Sequence, residues 1–247
     1  MRFHALMPIR NECHRYLQSN IVWHRGSFDS FFIYDDNSDD EASEVITPWR
    51  DITYYRRGDE SVAFLEHEGM FRLGMYKAWE KIIEPHPGDW VFALDADEFL
   101  VGPASLAQTL HVLAEAADTQ GSISFQIQIP EVWSLLYPPR VRIDGFWGNL
   151  WAPRFFRYFP PITMSDKAMG GGCWPSYVNP MHSTKTNLLY ILHYGYAFEA
   201  DREDKFIRYT NKGDHGHNNA HIQSIKAKPT LSTWTGESPR VWRGVID

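Results

Sequence analysis

Cysteine is scarce in this chain. Only Cys13 and Cys173 occur in 247 residues, too few and too far apart for the disulfide framework of a small secreted domain. A reducing cytoplasm is therefore the expected compartment. No apolar run approaches the roughly 18 residues of a membrane span. The short apolar stretch from Phe3 to Met7 meets Pro8 and is not extended into a signal-peptide core. Positive charge is also in deficit: 24 Lys and Arg against 31 Asp and Glu give a formal net charge of -7. That balance disfavours a broad surface for coating nucleic acid and leaves room for a local basic pocket. Internal repeats and low-complexity linkers are absent too, so residues 1–247 read as one domain with a variable C-terminal portion. Aromatic residues, by contrast, are plentiful: 10 Trp, 12 Tyr and 15 Phe make up 15%. One core seldom needs so many, and some rings are expected to serve a site.

The first half alternates short apolar runs with helical patterns, which predicts βα units feeding a mainly parallel sheet flanked by helices. Strands are expected at 3–7, ended by Pro8, then at 31–34, 52–55 and 90–94. Helices are expected at 12–24, 41–46 and 64–83, and an amphipathic one at 105–117 with Leu106, Leu110, Leu113 and Ala117 on one face. Residues 123–129 alternate as a strand with one polar face. Beyond Pro130 the rhythm weakens, with strands expected near 154–158 and 188–198, a helix at 202–209, and a polar, irregular tail after Asn211.

Two acidic clusters fall at predicted strand ends, where open α/β sheets bind ligands. One is Asp35-Asp36-Asn37-Ser38-Asp39-Asp40; the other is Asp95-Ala96-Asp97-Glu98. Asp95 and Asp97 offer hard oxygen ligands side by side, with Ala96 turned away, which suits Mg²⁺ or Mn²⁺. Packing Glu98 beside them is costly unless a cation or solvent neutralises the charge. An EF-hand is disfavoured because the segment runs on as Phe99-Leu100 without the required glycine.

Asp89-Trp90-Val91-Phe92-Ala93-Leu94 followed by Asp95-Ala96-Asp97-Glu98-Phe99-Leu100 resembles the DxD segment of family 2-like glycosyltransferases with the GT-A fold. Pro8-Ile9-Arg10-Asn11-Glu12 is similar to that family's first loop, and Tyr34 to Asp40 to its nucleotide-binding acidic turn. The three segments keep the family's order and cover roughly the first 100 residues. Trp151 to Arg157 and Leu192 to Tyr196 look more loosely like later segments. The resemblance implies a nucleoside-diphosphate sugar donor, UDP-sugar favoured, a divalent metal on its diphosphate, and sugar transfer to an unidentified acceptor. It implies a donor half at 1–102 and an acceptor half at 103–247. Pro8, Arg10, Asn11, Glu12, Asp35 and Asp36 would hold the nucleotide; Asp97, supported by Asp95, would hold the metal. His193 would be a further metal ligand or a diphosphate contact.

Arg72, Lys205 and Arg208 are candidate cations for the departing diphosphate, the last two sharing a helical face. An inverting reaction also needs a carboxylate to take the acceptor proton. Asp166, just before Gly170-Gly171-Gly172, is the preferred candidate and Glu131 the alternative, with Asp144 and Glu199 behind them; retaining chemistry stays open. The glycine run lacks the Gly-Lys-Ser/Thr of a P-loop. His215, His217 and His221 resemble a metal cluster, but their glycine-rich surroundings argue against a helix that would align them. Among the later aromatics, Trp133, Tyr137, Trp147, Trp151 and Trp174, one or two are expected to line an acceptor groove. The competing readings are a nucleotidyltransferase acting on sugar phosphates, for which the first loop lacks the usual glycines and basic residues, and a non-catalytic nucleotide- or sugar-binding module.

Overall fold

The computed structural model describes residues 1–58, 68–165, 173–211 and 219–241, apart from the side chains of 211, 219 and 221. The first six elements are β1 (Phe3–Ile9), α1 (Leu17–His24), β2 (Ser30–Asp35), α2 (Ala42–Ile46), β3 (Ile52–Arg56) and α3 (Glu68–Ile83). Next come β4 (Trp90–Ala93), β5 (Glu98–Val101), α4 (Leu106–Gln120), β6 (Ser124–Gln128), β7 (Val132–Ser134), β8 (Arg140–Arg142) and β9 (Trp151–Arg157). The chain ends with β10 (Thr184–His193), α5 (Glu199–Asn211), α6 (Asn219–Ser224) and β11 (Leu231–Thr233).

Eight strands form one central sheet in the order β3-β2-β1-β4-β9-β6-β10-β5. The sheet is mainly parallel: β9 and β5 run against the other strands. Alternation along the strands makes it the middle of three layers. Phe3, Ala5, Met7 and Ile9 of β1, with Phe31 and Ile33 of β2, pack on the face covered by α1, α2 and α4. Leu6, Phe32 and Tyr34 point the other way, towards Phe71, Met75, Tyr76 and Trp79 of α3. Ser105 caps the start of α4 through Gln108 N–H, and Gly121 ends it in the left-handed conformation.

Pro8 does not end the first strand as expected. β4 pairs with β1 only from Phe3 to Leu6, so the ladder on that side makes no demand for the amide hydrogen that Pro8 lacks. The long helix is described from Glu68, and residues 64–67 of its expected span lie outside the described residues. The tail after Asn211 is not wholly irregular: it contributes α6, and β11 closes a second sheet in the order β11-β8-β7. Each of these three strands has three residues, too short to leave a period in the sequence. Arg142 holds this region from within: it is buried, pairs with Asp144 at 2.8 Å, donates to Ser224 O at 2.7 Å and lies over the Trp133 ring.

Candidate functional site

The Asp95-Ala96-Asp97 segment carries the chain from β4, in the middle of the sheet, to β5 at its edge. Residues of α1 hold this crossing by its backbone. Asn20 donates to Ala96 O at 3.0 Å and Glu98 O at 2.7 Å, and Trp23 Nε1–H donates to Leu100 O at 2.7 Å. The fully buried His24 accepts the Leu100 N–H at Nε2 and faces Asn20 Oδ1 with Nδ1. Burial lowers its pKa to about 3, so the ring is neutral at physiological pH. Antiparallel pairing of β5 with the end of β10 then sets His193 opposite Glu98, and the Tyr194 N–H donates to Asp97 O at 2.8 Å.

Asp97 and His193, far apart in sequence, are thereby neighbours. His193 Nε2 lies 3.2 Å from Asp97 Oδ2, and its Nδ1 lies 2.6 Å from Glu131 Oε2. Lys205 on α5 brings its Nζ to 3.6 Å from the same Asp97 oxygen and sits 4.2 Å above the Tyr196 ring. Burial pushes the Asp97 carboxyl up, but His193, Lys205 and Arg15 outweigh it and hold it far below the usual carboxylate range. Burial likewise opposes charge on His193, and Glu131 and Asp97 more than compensate. All these groups converge over Gly195. A Cβ there would fall on Lys205 Nζ, 2.5 Å from Asp97 Oδ2 and 2.6 Å from His193 Nε2. Glycine leaves the three polar atoms a common space, and a larger residue would make these side-chain ends shift.

The other half of the motif faces different partners. Asp95 Oδ1 accepts from Arg72 at 2.9 Å, and Asp95 Oδ2 lies 3.8 Å from Arg154. Arg154 also reaches Glu98 Oε1 at 2.5 Å and Ala93 O at 3.2 Å, while Arg72 Nε donates to Glu68 at 2.9 Å. Asp95 was expected beside Asp97 on a metal. Its carboxylate instead pairs with two arginines, one of them only 2% exposed, and is itself a third exposed. Arg72, expected to touch the donor, is buried beneath the motif and positions Asp95.

The two nucleotide-loop candidates are sewn together. Asn11 N–H donates to Ser38 Oγ at 3.0 Å, and Asp39 N–H to Asn11 Oδ1 at 2.7 Å. Asn11 and Asn37 both adopt positive φ, a conformation that asparagine tolerates in tight turns. Asp35 is buried and spends one oxygen on the Ser38 N–H and hydroxyl and the other on the Tyr54 hydroxyl, so it shapes the loop. Asp36, also buried, pairs with Arg57 at 2.6 Å and with the exposed Arg10 at 3.4 Å. Glu12 accepts from Arg15 Nη1 at 2.8 Å, and Arg15 Nη2 reaches Asp201 at 3.3 Å. Burial raises the Glu12 carboxyl to about 8, opposed by Arg15 and reinforced by Asp97.

Several expected residues fall elsewhere. Glu131, the alternative base, is 2% exposed and backs His193. Asp144 is held by Arg142, and Glu199 lies exposed in the first turn of α5. Arg208 is exposed, its guanidinium over Tyr209, while Lys205 three residues earlier is buried against Asp97. Asp166, the glycine run, His215 and His217 lie outside the described residues. Trp133 and Trp147 are packed with Tyr196 and Ile225; Tyr137 is 67% exposed. Sequence reading missed Arg15, Asp201, Arg154 and Gly195. Arg154 and Gly195 lie inside the two looser resembling segments, but their roles depend on contacts across the sheet.

No family model matches the chain, and no curated protein matches it. Among solved structures it is similar to a 4-diphosphocytidyl-2C-methyl-D-erythritol synthase, at TM-score 0.40 and 17% identity over 63% of this chain and 74% of that one. It is also similar to glucosyl-3-phosphoglycerate synthase from Mycobacterium tuberculosis, in complex with Mn²⁺, UDP and glucosyl-3-phosphoglycerate. There the TM-score is 0.33 and the identity 18%, over 53% of this chain and 44% of that one. Mannose-6-phosphate isomerase from Helicobacter pylori aligns at TM-score 0.33 and 9% identity, over 52% and 51%. Likenesses this distant bear on neither activity nor ligand.

Proposed function

We propose that the chain is a metal-dependent glycosyltransferase that moves a sugar from a nucleoside-diphosphate sugar, UDP-sugar favoured, to an acceptor with inversion. The observation that carries this reading is the meeting of Asp97 Oδ2 and His193 Nε2, 3.2 Å apart over the bare Gly195, at a strand end of an α/β sheet. Adjacent ligands at ordinary metal distances lie about 3 Å apart, so this pair fits one divalent ion. A carboxylate with an imidazole suits Mn²⁺ better than Mg²⁺, and Glu131 behind His193 is the outer carboxylate that such a ligand commonly has.

Asp97 and His193 would hold the ion, while Asp95, matched by Arg72 and Arg154, stays a positioning group. When bound, the metal supplies Lewis-acid stabilisation of charge on the departing diphosphate. Lys205 can turn from Asp97 to a phosphate oxygen. Glu12, whose carboxyl burial pushes up to about 8 against the pull of Arg15, is placed to hydrogen-bond the donor. Arg10 and the interlocked loops around Asn11 and Asp36 form a shelf for base and ribose. Asp166 is the proposed base. Incubation with a panel of nucleotide sugars and Mn²⁺ should release nucleoside diphosphate. Pyrophosphate release from a nucleoside triphosphate and a sugar phosphate would contradict the reading and support nucleotidyl transfer instead.

A further inference from the structure

Outside the Asp97 cluster, Cys13, His14 and Glu41 each offer one ligand atom, and these atoms all lie within 4.8 Å of one another. Cys13 and His14 are consecutive in the turn before α1, and Glu41 immediately precedes α2. The thiol is buried at 1% exposure, whereas the His14 and Glu41 side chains are 63% and 58% exposed. Sulfur thus forms the floor of a small cup, with nitrogen and oxygen at its open rim. His14 Nε2 and Glu41 Oε2 are already 3.1 Å apart, close to the spacing of adjacent ligands on one ion.

Two of the ligand atoms already face each other, His14 Nε2 and Glu41 Oε2, and the Cys13 sulfur takes a hydrogen bond from the Glu41 backbone, while further bonds tie the two segments together. Cys13 N–H donates to Asp40 Oδ2 at 2.8 Å, and the other Asp40 oxygen accepts Ala42 N–H at 3.2 Å. Asn11 and Ser38 tie the same two segments one turn away. The arrangement is therefore held in place before any ion enters.

We propose that Cys13, His14 and Glu41 bind one Zn²⁺, with water in the fourth position. Thiolate, imidazole and carboxylate form a borderline-soft set that Zn²⁺ takes tetrahedrally, unlike the harder Asp97 centre. Binding forms zinc–sulfur, zinc–nitrogen and zinc–oxygen bonds and releases the thiol proton to solvent; nothing is oxidised or reduced. Because Glu12 directly precedes Cys13, the ion staples the first loop to the acidic loop and fixes the shelf beside the Asp97 cluster.

Titration of the metal-stripped protein with Co²⁺, followed by optical absorption and Zn²⁺ competition, tests this. A thiolate-to-cobalt charge-transfer band should saturate at about one equivalent per chain, and Zn²⁺ should displace it. The band should vanish in Cys13→Ser and persist in Cys173→Ser. His14→Ala, at an exposed position, should weaken binding by more than the ~10-fold that loss of an outer-shell partner costs. Asp97→Asn should leave the band unchanged, which separates this centre from the proposed donor site. A spectrum without a sulfur band, a band that survives Cys13→Ser, or unchanged affinity in His14→Ala overturns the proposal.

Discussion

Asp97 keeps its negative charge between His193 at 3.2 Å and Lys205 at 3.6 Å. Asn preserves the shape and removes the charge, so Asp97→Asn should lower metal-dependent turnover by about 100-fold or more, with the thermal unfolding curve showing a folded protein. Full activity would remove Asp97 from the proposed metal. Gly195→Ala tests the space itself, since the added Cβ would occupy the point where Lys205, Asp97 and His193 meet. It should lower donor turnover although it adds only a methyl group; unchanged turnover in Gly195→Ala would mean that nothing needs that space. Glu131 acts through His193, so Glu131→Gln should weaken Mn²⁺ affinity about 10- to 100-fold, measured by titration in the absence of acceptor. Asp97 and His193 were legible as residues because short motifs name them. Their geometric division from Asp95 was not, because it depends on Arg72 and Arg154, which arrive from α3 and β9.

At the scale of elements, α1 fixes the crossing between β4 and β5. Its Asn20, Trp23 and His24 lie on one turn and bond to Ala96, Glu98 and Leu100. Periodicity identifies α1 as a helix but does not reveal that its buried side carries these polar groups. His24 makes that contact pH-dependent. Its folded pKa, about 3, lies below the ordinary histidine value of 6.5. The unfolded chain therefore binds the extra proton, and this contribution to stability is full above pH 6.5 and lost as pH falls towards 3. Urea unfolding should show about 2 kcal/mol lost between pH 7 and pH 5 through this residue. The pH-dependent part should disappear in His24→Asn; an unaltered pH profile would remove His24 as its source. β5 escaped the sequence reading because it follows the acidic turn after only a few residues and pairs with β10 at the far edge of the sheet.

Across the whole molecule, the central sheet interleaves early and late parts of the chain, with β9, β6 and β10 lying between β4 and β5. The candidate site spans the same seam, taking Glu12, Arg15 and Asp97 from the first 102 residues and Glu131, His193, Gly195, Lys205 and Asp201 from beyond them. The sheet's first strands were legible because apolar runs and helical periods are local signals. The C-terminal elements were not, because β7, β8 and β11 are short and depend on Arg142, Trp133 and Ser224 for their place. Much of the aromatic surplus proves to be packing: Trp90, Phe92, Phe125 and Phe155 stack within the sheet, and Trp133, Trp147 and Tyr196 beneath the α5 region. Among the described residues, no helix is long and apolar enough to cross a membrane. In the proposed reaction Asp97 and His193 join a divalent ion to a nucleoside diphosphate, a link that calorimetric UDP binding with and without Mn²⁺ measures. Mn²⁺ should tighten UDP binding in the native protein and give no such gain in Asp97→Asn; equal tightening in both proteins, or none in the native one, would rule out a metal held by Asp97 and His193.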